Sequence, residues 1–154
     1  HCPHARGGEP SINHFGFKAE FNLAFDARSA AEVVSALSEK ITLVPLDATN
    51  DIVFGSEEME RLRAGPKPLH AFILESVARW YDLNVPLFGG FYLFDAAAVV
   101  AYLRPEVSTR EESVALTVDA SGATVVGSEG YAVKVALKLD SDAVKQHVMN
   151  SLGL

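Results

Sequence analysis

Apolar residues recur at helical spacing in the segment DARSAAEVVSAL, which begins at Asp26. Alanine, valine and leucine occupy positions i, i+3, i+4 and i+7, and Asp26 can cap the first turn. This spacing predicts an amphipathic helix. The run Ile41 to Leu46 that follows is apolar and β-branched and ends in polar residues, which is typical of a buried strand.

Two further helices are predicted in the middle of the chain. Ser56 can cap a short helix that reaches Arg63, before Gly65 and Pro66 end it. A longer helix follows, in which six apolar residues fall on one face: Leu69, Phe72, Ile73, Val77, Trp80 and Tyr81. We expect both helices to pack against the core, with Trp80 and Tyr81 as core residues rather than a platform for stacking bases.

The last third of the chain changes from helical spacing to alternation and back. After Gly89 and Gly90, the segment YLFDAAAVVAYLRP keeps helical spacing until Pro105, which predicts a buried helix with one carboxylate. The sequence ESVALTVDASGATVVGSEGYAVKVALKLD alternates polar and apolar residues around two turn signals, as hairpin strands do. Residues 141–152 predict a final helix.

A helix followed closely by a strand of continuous apolar residues is typical of α/β proteins, whose parallel strands are buried on both faces. We therefore expect an α/β fold with a largely parallel, mixed sheet flanked by helices. The sequence shows no internal repeat, low-complexity tract or linker, so residues 1–154 predict a single α/β domain.

Composition narrows the classes of partner. Of the 154 residues, 49% are hydrophobic, and the formal net charge of −7 disfavours binding to nucleic acid or to an anionic membrane surface. No apolar stretch reaches the roughly 18 residues that a membrane span needs. Cys2 is the single cysteine and cannot form an internal disulfide, so a cytoplasmic location is expected.

Polar residues in apolar surroundings are the candidate functional residues, because burying a charge is costly without a ligand, metal or partner. Glu20 and Asn22 lie between aromatic residues in AEFN. Asp47 ends the predicted strand, and Asp95 stands at the front of an apolar helix. The alternative is structural: Asp47 caps a turn with Thr49, Asp95 caps its helix, and Glu20 is exposed.

Other chemical motifs are weak or missing. The sequence contains no G-x-S-x-G elbow, no G-x-G-x-x-G fingerprint and no P-loop, which disfavours a serine hydrolase, a dinucleotide site and an ATP site. His1, Cys2 and His4 could bind a metal, but no second ligand pair follows at the spacing of a zinc site. His70 and His147 fall on predicted helices and are most simply solvated or helix-end residues.

Four segments together resemble the second half of an inosine-uridine preferring nucleoside hydrolase. They are Arg6-Gly7-Gly8, AEFNLAFDARSAAEVV, ITLVPLDATND and YLFDAAAVVAYLRP. In that family a Met-Gly-Gly turn, A-E-F-N, an L-V-P-L-D-V-T strand and H-D-P-x-A-V-A-Y-L follow in the same order. The resemblance implies a nucleoside-hydrolase-like α/β fold that lacks the family's amino-terminal strands, so that residues 1–154 form the carboxyl-terminal part of a larger domain.

The same resemblance implies hydrolysis of the N-glycosidic bond of purine or pyrimidine ribonucleosides by a water bound to calcium. Carboxylates and amide oxygens stabilise the positive charge that builds on the sugar, and calcium prefers oxygen ligands and lowers the pKa of its water. By position, Glu20 and Asn22 match the family's ribose-binding residues. Asp95 matches a calcium ligand that also touches the sugar.

The match departs from the family at several positions. His14, or the adjacent Asn13, takes the place of a ribose-binding Asn, and Arg6 replaces a Met beneath the ribose. Phe94 stands where the family has a His that helps the leaving base depart, although its ring could stack on a nucleobase. The D-T-D-P-G-x-D-D cluster that supplies most calcium ligands and the catalytic base is absent from this sequence, so we expect no catalysis by this chain alone.

Two alternatives stay open beside a ribonucleoside hydrolase. One is a non-catalytic binding or structural homologue that kept the scaffold, which the residues Arg6, His14 and Phe94 favour. The other is a truncated product whose exposed sheet edges and apolar surface make it self-associate. A homo-oligomer is therefore among the expected assemblies.

Overall fold

The computed structural model describes residues 19–154, which divide into two units. The sheet unit contains residues 19–48 and 110–138, and the helical unit contains residues 49–109 and 139–154. The following residues named above lie outside the described part: His1, Cys2, His4, Arg6, Gly7, Gly8, Asn13 and His14.

Seven α-helices and six strands follow one another in the described part of the chain. They are α1 (Phe21–Phe25), α2 (Ala27–Leu37), β1 (Thr42–Leu43), α3 (Leu46–Thr49), β2 (Val53–Phe54), α4 (Ser56–Ala64), α5 (Pro68–Phe88), β3 (Phe91–Tyr92), α6 (Phe94–Leu103), β4 (Ser108–Val118), β5 (Thr124–Val126), β6 (Tyr131–Leu139) and α7 (Ser141–Leu152). None of these helices is both long enough and apolar enough to cross a membrane.

The sheet unit holds most of a four-stranded sheet in the order β1-β6-β4-β5. β1 runs parallel to β6, with Thr42 opposite Lys134, and β4 runs antiparallel to β5, with Thr117 opposite Val125. Alternation along the strands sends every second side chain inward. The core residues of this unit are Val34, Leu116, Val118, Val133 and Val135.

The helical unit packs α4, α5 and α7 around larger side chains. β2 and β3 form a two-stranded antiparallel sheet, with Phe54 opposite Phe91. The rings of these two residues lie 5.4 Å apart, and the Tyr81 ring meets the Phe91 ring edge-on at 6.4 Å. The core residues of this unit are Phe54, Met59, Leu62, Tyr81 and Met149.

The predicted α/β class, with a mixed sheet flanked by helices, is confirmed by these elements. Fewer strand pairs are parallel than expected. β1 pairs with β6 in parallel, whereas β2 with β3 and β4 with β5 are antiparallel. The reason lies in the connections. The five-residue turn from Asp119 to Ala123 joins β4 directly to β5, and a short turn reverses the chain direction.

Three local predictions need correction. The strand predicted over Ile41 to Leu46 is limited to Thr42–Leu43, because the chain turns into α3, where the Ala48 N–H donates to the Pro45 carbonyl at 2.9 Å. Asp47 therefore lies in the first turn of α3 rather than at a strand end. Ser56 is the first residue of α4, and Gly55 is its cap.

The third correction concerns the face of α5. Tyr81 is buried, as predicted, but the side chains of Phe72 and Trp80 are 68% and 56% exposed. These two residues are therefore not core residues. The predictions for α2 and for the final helix over residues 141–152 are confirmed.

Candidate functional site

Glu20 and Asn22 lie side by side at the start of α1, in the sheet unit. Glu20 is the N-cap of this helix, and its Oε2 atom accepts a hydrogen bond from the Leu23 N–H at 2.9 Å. Its Oε1 atom accepts a second bond from Asn22 Nδ2 at 3.1 Å. The first N–H groups of a helix lack partners within it, so a carboxylate at this position is favoured. These bonds bring two predicted ribose-binding residues together.

A second cap follows directly at Asp26. Its Oδ1 atom accepts from the Ser29 N–H at 3.0 Å, and its Oδ2 atom accepts from Ser29 Oγ at 2.7 Å. The backbone hydrogen bond, and then the hydroxyl bond, hold the pKa of Asp26 below its usual value. The predicted cap is thus confirmed, and it starts α2 one residue after α1 has ended.

The turn between β4 and β5 lies against the backbone of α1. Asp119 closes this turn by accepting hydrogen bonds from Ser121 and from the Ala123 N–H, and the Ser121 hydroxyl bond is the main cause of the lowered pKa of Asp119. Gly122 has a φ of 82°, and a Cβ atom there would overlap the backbone of Ala24. Only glycine tolerates both the positive φ and the close approach to Ala24. The turn can therefore lie against α1 and help to position the segment that contains Glu20.

Asp95 and Phe94 begin α6 in the helical unit. The cap of α6 is Leu93, so the alternative that Asp95 caps this helix is wrong. The Asp95 side chain is exposed in the first turn, where a negative charge is favourable for the helix dipole. A carboxylate at that position is accessible to a ligand.

Phe94 belongs to a ladder of three rings that the sequence reading missed. Its ring is stacked on Tyr92, with centroids 5.0 Å apart and planes 7° from parallel. The Tyr92 ring in turn lies 5.5 Å from Phe88. Burial, and then the nearby negative charge of Asp51, raise the pKa of Tyr92, so its hydroxyl keeps its proton at neutral pH.

The described residues do not fit a metal ion by themselves. Residues 19–154 contain no group of three or more His, Cys, Asp or Glu side chains that could hold one. Calcium takes about six to eight oxygen ligands, and Asp95 supplies at most two. No chemical step through calcium is therefore derived from these residues.

His70 has a structural position that its sequence context did not suggest. It is fully buried, so the prediction of a solvated side chain is wrong, although it does lie at a helix end. Its Nδ1 atom accepts from the Lys67 N–H at 3.2 Å, and its Nε2 atom bonds the Leu152 carbonyl at 2.9 Å. His70 therefore joins the start of α5 to the end of α7. His147 is half-buried on α7.

Comparisons with known proteins agree on one family. The sequence pattern of the family described as inosine-uridine preferring nucleoside hydrolase matches residues 7–146. A non-specific ribonucleoside hydrolase of Salmonella schwarzengrund is 34% identical, over 92% of this chain and 48% of the relative. A probable uridine nucleosidase of Arabidopsis thaliana is 25% identical, over 95% of this chain and 51% of the relative.

A solved structure supports the fold independently. The purine-preferring ribonucleoside hydrolase from Gardnerella vaginalis superposes with a TM-score of 0.76 at 19% identity, over 85% of this chain and 45% of that protein. The chain thus spans about half the length of the relatives that it matches.

Proposed function

Because the chain belongs to the inosine-uridine preferring nucleoside hydrolase family, we propose that the whole protein hydrolyses the N-glycosidic bond of purine or pyrimidine ribonucleosides. The observation that carries this proposal is the pairing of Glu20 with Asn22 at the cap of α1. By the resemblance of their sequence segment, these residues match the family's ribose-binding Glu and Asn.

The capping bonds prepare Glu20 for a sugar. Each carboxylate oxygen accepts one internal hydrogen bond, from Leu23 or from Asn22, and an ionised carboxylate has about four acceptor sites in total. Both oxygens can therefore accept a ribose hydroxyl as well. Asn22 donates to Glu20 through Nδ2, and its Oδ1 atom is a further acceptor. The pair is held before substrate arrives, so binding does not have to order it.

The same pair favours the transition state over the bound substrate. When the N-glycosidic bond breaks, its electron pair leaves with the base and positive charge builds on the sugar. A water then adds to the anomeric carbon, and the proton that it loses goes in net terms to the departed base, so that both products are neutral. The negative charge of Glu20 and the amide oxygen of Asn22 interact more strongly with this cationic sugar than with neutral ribose, which lowers the barrier.

For the leaving base, we propose stacking rather than proton donation. Phe94 has no proton to give, but a phenyl ring is of the kind that stacks on a flat nucleobase. Asp95 and calcium complete the proposal by family position alone: Asp95 would contact the sugar and supply one oxygen ligand to the ion, which when bound lowers the pKa of its water.

The test is hydrolysis of inosine and uridine by the protein expressed from the complete reading frame that contains this chain. Glu20→Gln keeps an acceptor for the Leu23 N–H but removes the charge, so we expect kcat/KM to fall about 100-fold. Glu129→Gln, an exposed carboxylate in the same unit, is the matched control and should leave the rate unchanged.

We expect no turnover from the 154-residue chain alone, even with calcium. Robust turnover by this chain would contradict that expectation. A complete protein that binds nucleosides without cleaving them would favour the non-catalytic homologue instead, and an unaffected Glu20→Gln variant would exclude the proposed role of Glu20.

We extend the proposal to the compartment. A single cysteine, Cys2, suits a reducing environment, which favours the cytoplasm. Cell fractionation followed by detection of the protein tests this location, and recovery from an oxidising compartment would contradict it.

A further inference from the structure

Three aromatic rings lie together where β3 leads into α6, in the helical unit. The Phe94 ring is stacked on the Tyr92 ring with centroids 5.0 Å apart, and the Tyr92 ring lies 5.5 Å from the Phe88 ring. Strand pairing sets Tyr92 opposite Val53 and so fixes the backbone of the middle ring. We call Phe88, Tyr92 and Phe94 the ring ladder.

Two carboxylates add negative charge at the ring ladder. Burial, and then the negative charge of Asp51, raise the pKa of the Tyr92 hydroxyl, so Asp51 lies close enough to Tyr92 to act on it. Asp95 directly follows Phe94 in the chain and is exposed in the first turn of α6. The phenyl ring of Phe94 has no N–H or O–H group, so it cannot give a proton to a ligand.

Rings and carboxylates of this kind favour a flat ligand that carries positive charge. The face of an aromatic ring attracts a cation that lies within about 6 Å of its centroid. Carboxylates attract the same cation over a longer range, and the formal net charge of −7 acts in the same direction. A neutral base gains only the contact with the rings, whereas a cationic base gains the electrostatic attraction as well.

On the basis of the proposed function, we propose that the ring ladder receives the base of ribosides in which that base has a fixed positive charge, as in N-alkylated pyridines and N7-alkylated purines. The reason lies in the departure of the base. A neutral base leaves as an anion unless a proton donor neutralises it, and such a donor typically accelerates a reaction about 100-fold or more. A cationic base leaves as a neutral molecule, so it does not need the proton that Phe94 lacks.

The reaction of such a riboside balances with water as the second reactant. The bond between the anomeric carbon and the base nitrogen breaks, and both of its electrons go to the nitrogen, which becomes neutral. Positive charge builds on the sugar in the same step. Water then adds to the anomeric carbon through its oxygen and loses one proton to the solvent. The products are ribose, the neutral base and one proton, and nothing is oxidised or reduced.

The test compares guanosine with 7-methylguanosine as substrates of the protein expressed from the complete reading frame. The two nucleosides differ by one methyl group and one positive charge, and a mildly acidic pH keeps the methylated base cationic. We expect kcat to be about 100-fold higher for 7-methylguanosine. Nicotinamide riboside, whose base is a pyridinium ion, should also be cleaved, whereas its neutral dihydro form should not.

Two variants measure the attraction of the cationic base separately from its departure. Asp51→Asn removes the negative charge beside Tyr92, and Phe94→Leu removes a ring but keeps an apolar side chain. Each should raise KM for 7-methylguanosine about five-fold relative to KM for guanosine, and added salt should weaken the effect of Asp51→Asn. Glu60→Gln, at an exposed carboxylate of α4, is the matched control for Asp51→Asn and should leave this ratio unchanged. Far-ultraviolet circular dichroism checks that the variants fold.

Three results would overturn the proposal. If guanosine is cleaved and kcat for 7-methylguanosine is no higher, the preference for a cationic base is excluded while the proposed function stands. If the protein cleaves neither cationic riboside and also leaves inosine, uridine and guanosine intact, the proposed function fails together with this preference. If neither Asp51→Asn nor Phe94→Leu changes the ratio of the two KM values, the ring ladder does not bind the cationic base.

Discussion

The sheet unit and the helical unit are stabilised in different ways. The sheet unit has a core of valine and leucine, and its polar caps at Asp26 and Asp119 are exposed. The helical unit has a core of aromatic and sulfur-containing residues, and two of its polar connections, at Glu58 and His70, are buried. A buried polar group that loses its hydrogen-bond partner costs more free energy than an exposed one. Loss of one such partner should therefore destabilise the helical unit more than loss of a partner at the exposed groups destabilises the sheet unit.

The contrast extends to the candidate site residues. Glu20 and Asn22, in the sheet unit, are held by hydrogen bonds to their own helix. Phe94, in the helical unit, is held by ring stacking on Tyr92. Local hydrogen bonds hold polar side chains in place, whereas stacking holds a flat apolar ring in place.

The largest effect is expected from the core of the sheet unit. Leu116 is fully buried, and Leu116→Ala leaves a cavity that should lower the free energy of unfolding by about 3 kcal/mol. Urea denaturation measures the loss, and hydrogen exchange should show it first in the sheet unit. Val126→Ala, in the same sheet but 49% exposed, should cost at most about 0.5 kcal/mol. Equal loss of protection in both units would break the contrast.

A smaller effect is expected at the turn that supports α1. Gly122→Ala adds a Cβ atom that overlaps the backbone of Ala24 at a residue with positive φ, and we expect a loss of about 2 kcal/mol. Faster hydrogen exchange in α1 would locate the damage. Gly127→Ala is the control, since no atom lies within 4 Å of its added Cβ atom. Similar losses in both variants would show that the Ala24 contact is unimportant.

The smallest effect is expected on how the free energy of unfolding depends on pH. It tests the contrast between buried polar groups in the helical unit and exposed ones in the sheet unit. Burial acts to raise the pKa of Glu58, but the Gly55 N–H at 2.8 Å and the Lys145 ammonium at 3.1 Å outweigh it and hold this pKa below its usual value. A lowered pKa in the folded state means that the stabilisation is complete at neutral pH and is lost as the pH falls through that pKa.

Glu58→Gln should therefore cost about 1 kcal/mol at neutral pH and reduce the further loss in acid. Urea denaturation at a series of pH values measures this difference. Glu57→Gln, the exposed neighbour on α4, should leave the pH profile unchanged. A Glu58→Gln variant with the original acid sensitivity would show that other carboxylates cause it.

Features that depend on neighbouring residues were predictable from the sequence. α2 and its Asp26 cap follow from helical spacing and a local hydrogen bond, and the same holds for α7. The pairing of Glu20 with Asn22 is also local, at a separation of two residues. The family resemblance predicts that these two residues bind ribose, which stays a prediction, and local geometry accounts for their closeness.

Features that depend on distant residues were not predictable. The contact of Gly122 with Ala24 joins segments about a hundred residues apart, and no spacing rule encodes it. The exposed position of Trp80 was missed because α5 has two apolar faces, and periodicity alone does not reveal which one is buried. The strand predicted over Ile41 to Leu46 ends early because the chain turns into α3 at Pro45, although its residues have high strand propensity.

The parallel arrangement of Phe94 and Tyr92 has a consequence for redesign of the protein. The imidazole of histidine is flat and slightly smaller than a phenyl ring. The Phe94→His substitution would therefore place an imidazole against the Tyr92 ring without a change in the backbone. Under the proposed function, the protonated imidazole would then be an acid available to a departing base. By the family resemblance, this single substitution would place a histidine where the family's leaving-group histidine is expected.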